Sequence, residues 1–409
     1  MQTRDIQFSG LAHPVRIVSP DEVIPILAPV VAAWPIVQSG KADAPFATVG
    51  PTGDGRSWRL SAPRAVRPEV EHNPVNAICD LIVEMSWERL RSRPDLLCLH
   101  AAAVAFGDRL VIFPNQRRAG KSLLSASLAR HGHAIFTDDF IPLAVDPATG
   151  VISGVANGIA PRLRLPLPET VSSDFAAWIE TRIAVRNRQY GYLAGIDLPT
   201  SGTEMPVGAI VMLDRDMEMT GPAELTPVSA DAALAAIVTQ NFGRQVHAGA
   251  ILAITGAMAT TVPVLRLTYR DVEEATALLE GSPLLAGLPA ATVPADAEHP
   301  PTRPAPLERL HDRPQDVADI KATFARIAGF TEVETAEAIY LASATGLAIH
   351  RLNPVSAMIW KLLEDPLEAE TVIAVLGDLF TDVPRDQLAG DVAAALTFMF
   401  RDGLIRQAG

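Results

Sequence analysis

Apolar positions along the chain fall either in short continuous runs or at helical spacing, a mixture typical of α/β proteins. One set of elements occupies residues 110–140. The apolar run 110–113 is followed by a polar loop, 114–120, and then by a segment with Leu123, Leu124 and Leu128 at helical spacing. A second apolar run covers 134–136. The pattern therefore predicts strand, loop, helix and strand in succession.

The preceding residues, 1–95, predict an N-terminal α/β part with mixed strands and helices. Asn73 and Pro74 are typical of a helix start, and the apolar face that follows continues to the break at Pro94. The next apolar run, 96–105, predicts a single strand, which a Gly107-Asp108 turn would connect to the strand at 110.

Beyond residue 140 the α/β pattern continues to residue 280. Strands are predicted at 141–145, 151–153, 161–166, 209–213 and 264–269, and helices at 229–238, 247–258 and 271–279. We therefore assign residues 96–280 to one core domain.

The composition changes to Pro and Ala after residue 280. We interpret residues 281–318 as an extended linker that cannot form a core. Residues 319–409 then predict a second domain, with a strand pair at 338–341 and 347–352 followed by three helices. The first helix begins at Asn353-Pro354, and the other two cover 369–380 and 385–401. This order is typical of a winged-helix module.

Length and composition indicate a soluble protein of two or three domains. The chain has 409 residues, of which 48% are hydrophobic and 20% charged. A net charge of -13 argues against nucleic acid as the main partner. Only two cysteines occur, and no stretch has the pattern of a signal peptide or a membrane span. We therefore expect a cytoplasmic protein with no membrane partner.

The loop at 114–120 has features of a phosphate-binding loop. Such loops direct backbone N–H groups at phosphate, while a lysine adds charge and a hydroxyl binds magnesium. Lys121 and Ser122 fit these two roles. The full pattern has glycine where this chain has Asn115, a residue type that reaches left-handed conformations comparatively well. Arg117 and Arg118 can both meet phosphate.

Two adjacent carboxylates, Asp138 and Asp139, follow the next predicted strand. Magnesium prefers hard oxygen ligands such as these beside phosphates. A turn or a helix cap is the alternative explanation for such a pair.

The positions of His100, Gly120-Lys121-Ser122, Gly132-His133 and Asp138-Asp139 resemble the HPr kinase/phosphorylase family, whose fold is related to phosphoenolpyruvate carboxykinase. The resemblance covers residues 73–155 and extends more loosely to 280. It implies an α/β (α+β) P-loop kinase core over 96–280, with 1–95 as its N-terminal part, and a homo-oligomer.

The same resemblance implies a set of site residues and two cofactors, ATP and Mg2+. The residues implied to bind ATP are Asn115, Arg117, Arg118, Ala119, Gly120, Lys121, Ser122 and Leu123. Lys121, His100 and the two aspartates would be catalytic. We favour Asp138 as the base, supported by His100, and Asp139 with Ser122 on the metal, although the sequence does not decide between the two aspartates. Arg162 and Arg164 would neutralise phosphoryl charge, or are solvated residues at a strand edge.

The C-terminal residues resemble a second family, PqqD, whose members recognise peptides for enzymes that modify ribosomally made peptides. The matching residues are Thr345-Gly346, Leu352-Asn353, 359–363, Asp391-Val392, Phe398 and 402–405. The resemblance covers 330–407 and implies that a leader peptide adds as a strand beside Leu347, Ile349 and Arg351 and packs on the helix 388–400. The alternative for Trp360, Phe398 and Phe400 is a place in the core.

Together the two resemblances imply a kinase that phosphorylates a Ser or Thr hydroxyl of a precursor peptide. Two alternatives remain open. The acceptor is instead a folded HPr-like carrier protein or a small molecule, or the chain is a non-catalytic adaptor that binds peptide in a nucleotide-dependent way.

Overall fold

The computed structural model describes residues 2–38, 44–53, 55, 57–63, 69–114, 119–241, 247–294, 321–343 and 346–408. Contacts divide the chain into a larger unit, 1–244 with 257–295, and a smaller unit, 245–256 with 296–409. Both contain strands and helices, which confirms the predicted mixed α/β class.

The larger unit is built from eighteen described strands and seven described helices, followed by a short 3₁₀ turn at Pro283–Leu285. In chain order they are β1 (Thr3–Phe8), β2 (Val15–Val18), α1 (Pro20–Val30), β3 (Ile36–Gln38), β4 (Ala47–Pro51), β5 (Trp58–Ser61), β6 (Glu69–His72), α2 (Pro74–Ser92), β7 (Leu97–Leu99), β8 (Ala101–Phe106), β9 (Arg109–Pro114), α3 (Lys121–Arg130), β10 (Ile135–Thr137), β11 (Ile141–Val145), β12 (Ile152–Val155), β13 (Arg162–Arg164), α4 (Ser173–Arg182), β14 (Ile183–Arg186), β15 (Tyr190–Leu193), β16 (Glu204–Arg215), β17 (Glu224–Pro227), α5 (Ala230–Val238), α6 (Ala248–Thr261), β18 (Val264–Tyr269) and α7 (Val272–Gly281). Helix α6 is divided between the two units.

The N-terminal part of the larger unit has its own six-stranded sheet, in the order β3-β1-β2-β4-β5-β6. Helix α2 packs on this sheet and begins as predicted, because Asn73 Oδ1 accepts a hydrogen bond from Asn76 N at 3.0 Å and Pro74 needs no N–H partner. Its buried face includes Ile78, Leu81 and Met85. One side of the helix is thus buried in the core, and its other residues lie at the surfaces beside it.

A nine-stranded sheet forms the centre of the larger unit. Its main order is β10-β8-β9-β16-β12-β11-β7, and β18 and β17 extend it beside β16. Strands β9, β16 and β18 are parallel to one another, so their carboxyl ends meet at one edge of the sheet. Ligands of α/β proteins commonly bind at such an edge. Strand β9 ends there at Pro114.

The apolar run 96–105 was predicted to be one strand, and this prediction is wrong. The chain divides at His100 into β7, which pairs with β11, and β8, which pairs with β9 and β10. Because the run is buried on both faces, its pattern contains no sign of the point where the chain changes partners. The division leaves His100 outside both strands, where its backbone N donates to Gln240 O at 2.7 Å.

The predicted start of the linker at residue 281 is also wrong. Ala291 N donates to Val207 O at 2.7 Å, and Ile152 N donates to Ala291 O at 2.8 Å. Ala291 and Val293 are buried. Residues up to 294 therefore belong to the larger unit. Their Pro- and Ala-rich composition provides few large core side chains, and backbone hydrogen bonds to the sheet hold them in place. The rest of the predicted linker lies outside the described residues.

The smaller unit contains strands and helices in the predicted order, with additional strands. They are β19 (Thr323–Arg326), β20 (Phe330–Glu334), β21 (Ile339–Ser343), β22 (Ile349–Leu352), α8 (Pro354–Leu362), β23 (Leu367–Glu368), α9 (Ala369–Leu379), α10 (Arg385–Arg401) and β24 (Ile405–Ala408). The strands form two antiparallel sheets, β20-β21-β22 and β23-β19-β24. The N-terminal part of α6 joins this unit, since Ala248 N donates to Gly346 O at 2.8 Å.

The helices of the smaller unit enclose a single described core. Helix α8 begins where Asn353 Oδ1 accepts from Ser356 N at 2.9 Å. Ile359, Leu376 and Leu396 are fully buried in the core that the three helices share. In the described part of the chain, every helix is too short or too polar to cross a bilayer. The expected cytoplasmic location and homo-oligomer remain predictions.

Candidate active site

A cavity of about 670 Å³ in the larger unit brings most of the predicted site residues together. The predicted residues on its wall are His100, Ala119, Gly120, Lys121, Ser122, Leu123, Asp138, Asp139, Arg162 and Arg164. Asn115, Arg117 and Arg118 lie outside the described residues. Residues from four separate parts of the sequence therefore share one cavity.

The cationic end of the cavity is the start of helix α3. Lys121 is the first residue of the helix and is buried, while Gly120 before it has φ +93°. A Cβ atom at Gly120 would lie 2.4 Å from the hydroxyl oxygen of Tyr269, and that hydroxyl donates to Ala119 O at 3.1 Å. The position therefore needs glycine for its backbone angle and for the space.

Burial lowers the pKa of Lys121, although the charges of Asp139 and Asp138 oppose this shift. Burial removes water from the charged ammonium group of Lys121, and neighbouring negative charge offsets this cost. Anionic phosphate would add to the effect of the two carboxylates.

Asp138 is the buried member of the carboxylate pair. Its Oδ2 accepts a hydrogen bond from Arg162 N at 3.1 Å, and its side chain is also hydrogen-bonded to Ser122. Burial, with the neighbouring charge of Asp139, raises the pKa of Asp138 to about 6, against the opposing effect of those hydrogen bonds. The Asp138–Ser122 contact joins a carboxylate to the hydroxyl at the start of α3.

Asp139 is more exposed and lies beside His100 and Arg162. His100 Nε2 lies 3.1 Å from Asp139 Oδ1, and Arg162 Nη2 lies 3.9 Å from Asp139 Oδ2. The surroundings disfavour a charged carboxylate, but the His100 hydrogen bond and the charges of Arg162 and Lys121 outweigh that cost and lower the pKa of Asp139. Two adjacent carboxylates thus have opposite pKa shifts.

The turn that holds both aspartates is fixed by Thr137 and Asn157. Thr137 Oγ1 accepts from the backbone N of Asp139 at 3.2 Å and of Phe140 at 3.3 Å. Asn157 Nδ2 donates to Thr137 Oγ1 at 3.3 Å and to Phe140 O at 2.6 Å. Sequence reasoning missed both residues. A threonine just before a turn is a signal for the first, but no local signal exists for Asn157.

Arg162 is part of the site, whereas Arg164 lies at its exposed rim. The guanidinium of Arg162 lies 4.8 Å from the centroid of the Tyr190 ring and close to Asp139. Arg164 lines the cavity with an exposed side chain. The alternative of a solvated strand-edge residue therefore suits Arg164 better than Arg162.

Further cavity residues come from distant parts of the chain and were not predicted. Cys79 Sγ of α2 lies 3.0 Å from Tyr192 Oη of β15, and both residues line the cavity wall. Arg215, the last residue of β16, lines it beside Gly120. Only the packing of the elements brings these side chains to the cavity.

The oxygen atoms of Ser122, Asp138 and Asp139 are of the kind that a magnesium ion prefers. Ser122 and the aspartates supply hard oxygen atoms, and magnesium in nucleotide sites takes few protein ligands because phosphates and water complete its shell. A hydroxyl already bonded to Asp138 is suitably placed to join that carboxylate in binding the ion.

A second surface of interest lies in the smaller unit, at strand β22. Among the described strands β22 pairs with β21 alone, so its other edge has no strand partner in that part of the chain. Near this strand Leu347 and Phe398 are exposed, and the rings of His350 and Phe398 lie 6.3 Å apart. Trp360 is buried, and its Nε1 donates to Glu332 Oε2 at 3.0 Å. The alternative of a core residue is therefore right for Trp360 and wrong for Phe398.

Comparisons with known proteins give a family match that lies within the smaller unit. The family model of PqqD, coenzyme PQQ synthesis protein D, matches residues 337–405, which confirms the predicted PqqD-like domain. No curated protein sequence matches the chain. Among solved structures, the Hpr(Ser) kinase/phosphatase from Coxiella burnetii is similar over 45% of this chain and 91% of that chain, with 16% identity and a TM-score of 0.22.

Proposed function

We propose that this protein is an ATP-dependent kinase that phosphorylates a Ser or Thr hydroxyl of a ribosomally made precursor peptide. The observation that carries the proposal is the cavity where Lys121 and Ser122 face a buried carboxyl, Asp138, and an ion-paired one, Asp139. Phosphoryl transfer needs several groups in one site: a cation, a hydroxyl that binds metal, and two carboxylates with different pKa values.

Lys121 and the backbone N–H groups at the start of α3 would hold the phosphates of ATP. The positive end of a helix and a buried lysine both favour anions. Magnesium, when bound, neutralises charge on the transferring phosphoryl group, and Ser122 with Asp138 would hold it. What supports the choice of Asp138 is its hydrogen bond with Ser122.

Asp139 would act as the base, which reverses the division that the sequence favoured. A base must be ionised, open to the acceptor and held in place by a partner. Asp139 is exposed, its pKa is lowered, and His100 holds Oδ1. In the reaction, the acceptor oxygen bonds to the γ-phosphorus, the bond from that phosphorus to ADP breaks, and the hydroxyl proton passes to Asp139. The guanidinium of Arg162 would balance negative charge on the phosphoryl oxygens.

The PqqD-like domain would supply the peptide. An extended leader would add through backbone hydrogen bonds to the edge of β22 that has no described strand partner, while Leu347 and Phe398 offer apolar contacts for its side chains. Because both units belong to one chain, a bound leader raises the local concentration of the acceptor near the kinase.

The test uses the full-length protein with ATP, magnesium and the peptide encoded beside its gene. Mass spectrometry should show a gain of one phosphate on a Ser or Thr residue. Lys121→Ala should abolish this gain and leave leader binding intact. If the wild-type protein binds ATP and peptide but transfers no phosphate to it, the peptide-kinase proposal is wrong.

The same experiment separates the two alternatives. A kinase of a folded carrier protein or a small molecule would leave the peptide unmodified and consume ATP only with its own acceptor. A nucleotide-dependent adaptor would bind ATP and peptide and give no product with any acceptor.

A further inference from the structure

Arg215 occupies the sheet edge where the phosphate-binding end of the cavity forms. It is the last residue of β16, and its register partner in the parallel strand β18 is Tyr269. Its Cδ lies 3.7 Å from the point that a Cβ atom at Gly120 would occupy. The arginine therefore lies directly beside the backbone that leads into Lys121.

The guanidinium of Arg215 is held in position but is incompletely bonded. Its Nη2 donates to Thr170 Oγ1 at 2.8 Å. Its Nε is buried and has no hydrogen-bond partner among the described residues, and no described carboxylate forms a salt bridge with this arginine. The side chain of Arg215 is half-buried and lines the cavity, so the guanidinium nitrogens beyond Nε are suited to bind an anion that enters there.

We propose that Arg215 is a second cationic ligand, beside Lys121, for the phosphate chain of the nucleotide, and that Thr170 positions it. The inference rests on the proposed function. Arginine suits this role because its planar donors can bind two phosphate oxygens together. Arg162, by contrast, is already engaged with Asp139 and with the Tyr190 ring, near the proposed base.

The inference is tested by calorimetric titration of the full-length protein with Mg-ATP and, separately, with inorganic tripolyphosphate. Arg215→Ala should weaken the binding of both by about 10- to 100-fold, the usual range for a charge-assisted hydrogen-bond pair. Arg215→Lys keeps the charge without the fork and should recover part of the affinity. Thr170→Val should weaken binding by a smaller factor, since it removes only the contact that positions the guanidinium.

Arg109→Ala is the matched control. Arg109 also has a buried Nε without a partner among the described residues, but it lines a separate cavity with Phe106 and His133. Its replacement should leave the affinity for both probes unchanged. A weakening equal to that of Arg215→Ala would attribute the effect to general loss of an arginine and overturn the inference.

Two other results would overturn it. Equal affinity of Arg215→Ala and wild type for Mg-ATP would show that Arg215 does not contact the nucleotide, and weakened ATP binding with unchanged tripolyphosphate binding would place it away from the phosphates. If Arg215→Ala does not fold, unchanged affinity in both Arg215→Lys and Thr170→Val would have the same meaning. ATP binding that depends on Arg215, without transfer to any peptide, would instead contradict the proposed function alone.

Discussion

His100 Nε2 lies 3.1 Å from Asp139 Oδ1, although the two residues belong to different parts of the chain. Their contact arises because β10 pairs with β8 in antiparallel fashion, with Thr137 opposite Ala103. The end of one strand therefore lies beside the start of the other. The sheet, and no local motif, makes this His–Asp pair.

Replacing His100 by alanine should slow phosphoryl transfer and change its pH dependence. The hydrogen bond from His100 is one of the contacts that lower the pKa of Asp139, against surroundings that disfavour its charged form. Without it that pKa rises, so at a given acidic pH more Asp139 is protonated and cannot accept a proton. The acid limb of kcat/KM should therefore move to higher pH, and the profile must begin at about pH 3, because the pKa of Asp139 in the wild type lies below the usual range of an aspartate.

His133→Ala is the control for this prediction. His133 Nε2 lies 3.0 Å from Glu280 Oε1, a similar His–carboxylate pair outside the candidate active site. Its loss should leave the acid limb in place. An unchanged profile in His100→Ala would remove the His100–Asp139 pair from the mechanism.

Asp138→Asn should stabilise the ligand-free protein at alkaline pH while abolishing activity. The pKa of Asp138 is raised from 3.8 to about 6, so the folded state favours its proton. Stability is lost as the pH rises through this window, and above it the ionised carboxyl costs about 3 kcal/mol. Asparagine cannot ionise, so Tm should rise by about 5 °C at pH 8 and little at pH 4, because the loss of one accepted hydrogen bond offsets part of the gain.

Asp146→Asn provides the opposite case. Backbone hydrogen bonds from Ala148 and Thr149 lower the pKa of Asp146, so its contribution to stability is present at neutral pH and is lost as the pH falls. Its replacement should give no rise in Tm at pH 8. A lower Tm for Asp138→Asn at pH 8 would contradict the prediction.

Gly120→Ala should destabilise the larger unit and weaken ATP binding. The substitution places a side chain at φ +93°, where L residues are strained by about 1–2 kcal/mol, and puts Cβ 2.4 Å from the Tyr269 hydroxyl. Thermal unfolding and ATP titration measure the two effects.

The double variant Gly120→Ala with Tyr269→Phe separates the clash from the backbone strain. Removing the hydroxyl leaves the Tyr269 Cζ position 3.6 Å from the new Cβ, an ordinary contact. The double variant should therefore be more stable than Gly120→Ala alone but less stable than Tyr269→Phe. Equal stability of Gly120→Ala and the double variant would show that the clash contributes nothing.

Phe398→Ala should weaken leader binding without unfolding the PqqD-like domain. Its side chain is 44% exposed near β22, so a docked peptide can cover it, and the loss of a buried aromatic contact commonly reduces affinity by about 10-fold or more. Leu379→Ala, which removes an exposed apolar side chain from α9, is the control and should leave leader affinity unchanged. Equal leader affinity in Phe398→Ala and wild type would place the peptide elsewhere.

Much of the fold follows from local patterns. The capped starts of α2 and α8 at Asn73 and Asn353, and the domain that the PqqD model matches, were predicted because caps, turns and helical spacing are short-range signals. The break between strands at His100 and the backbone hydrogen bonds of residues 283–293 to the larger unit were not predicted. Apolar runs and Pro-rich composition do not specify which strands pair in a sheet.

The sequence by itself determined the chemistry available to this protein: a lysine and a hydroxyl at a helix start, and two adjacent carboxylates after a strand. Only the tertiary structure decided how that chemistry is distributed. Strand pairing brings His100 to Asp139. Burial raises the pKa of Asp138, whereas His100 and Arg162 lower that of Asp139. The parallel ends of β16 and β18 bring Arg215 and Tyr269 to Gly120. These relationships depend on burial and on contacts between distant residues, which no local pattern in the chain records.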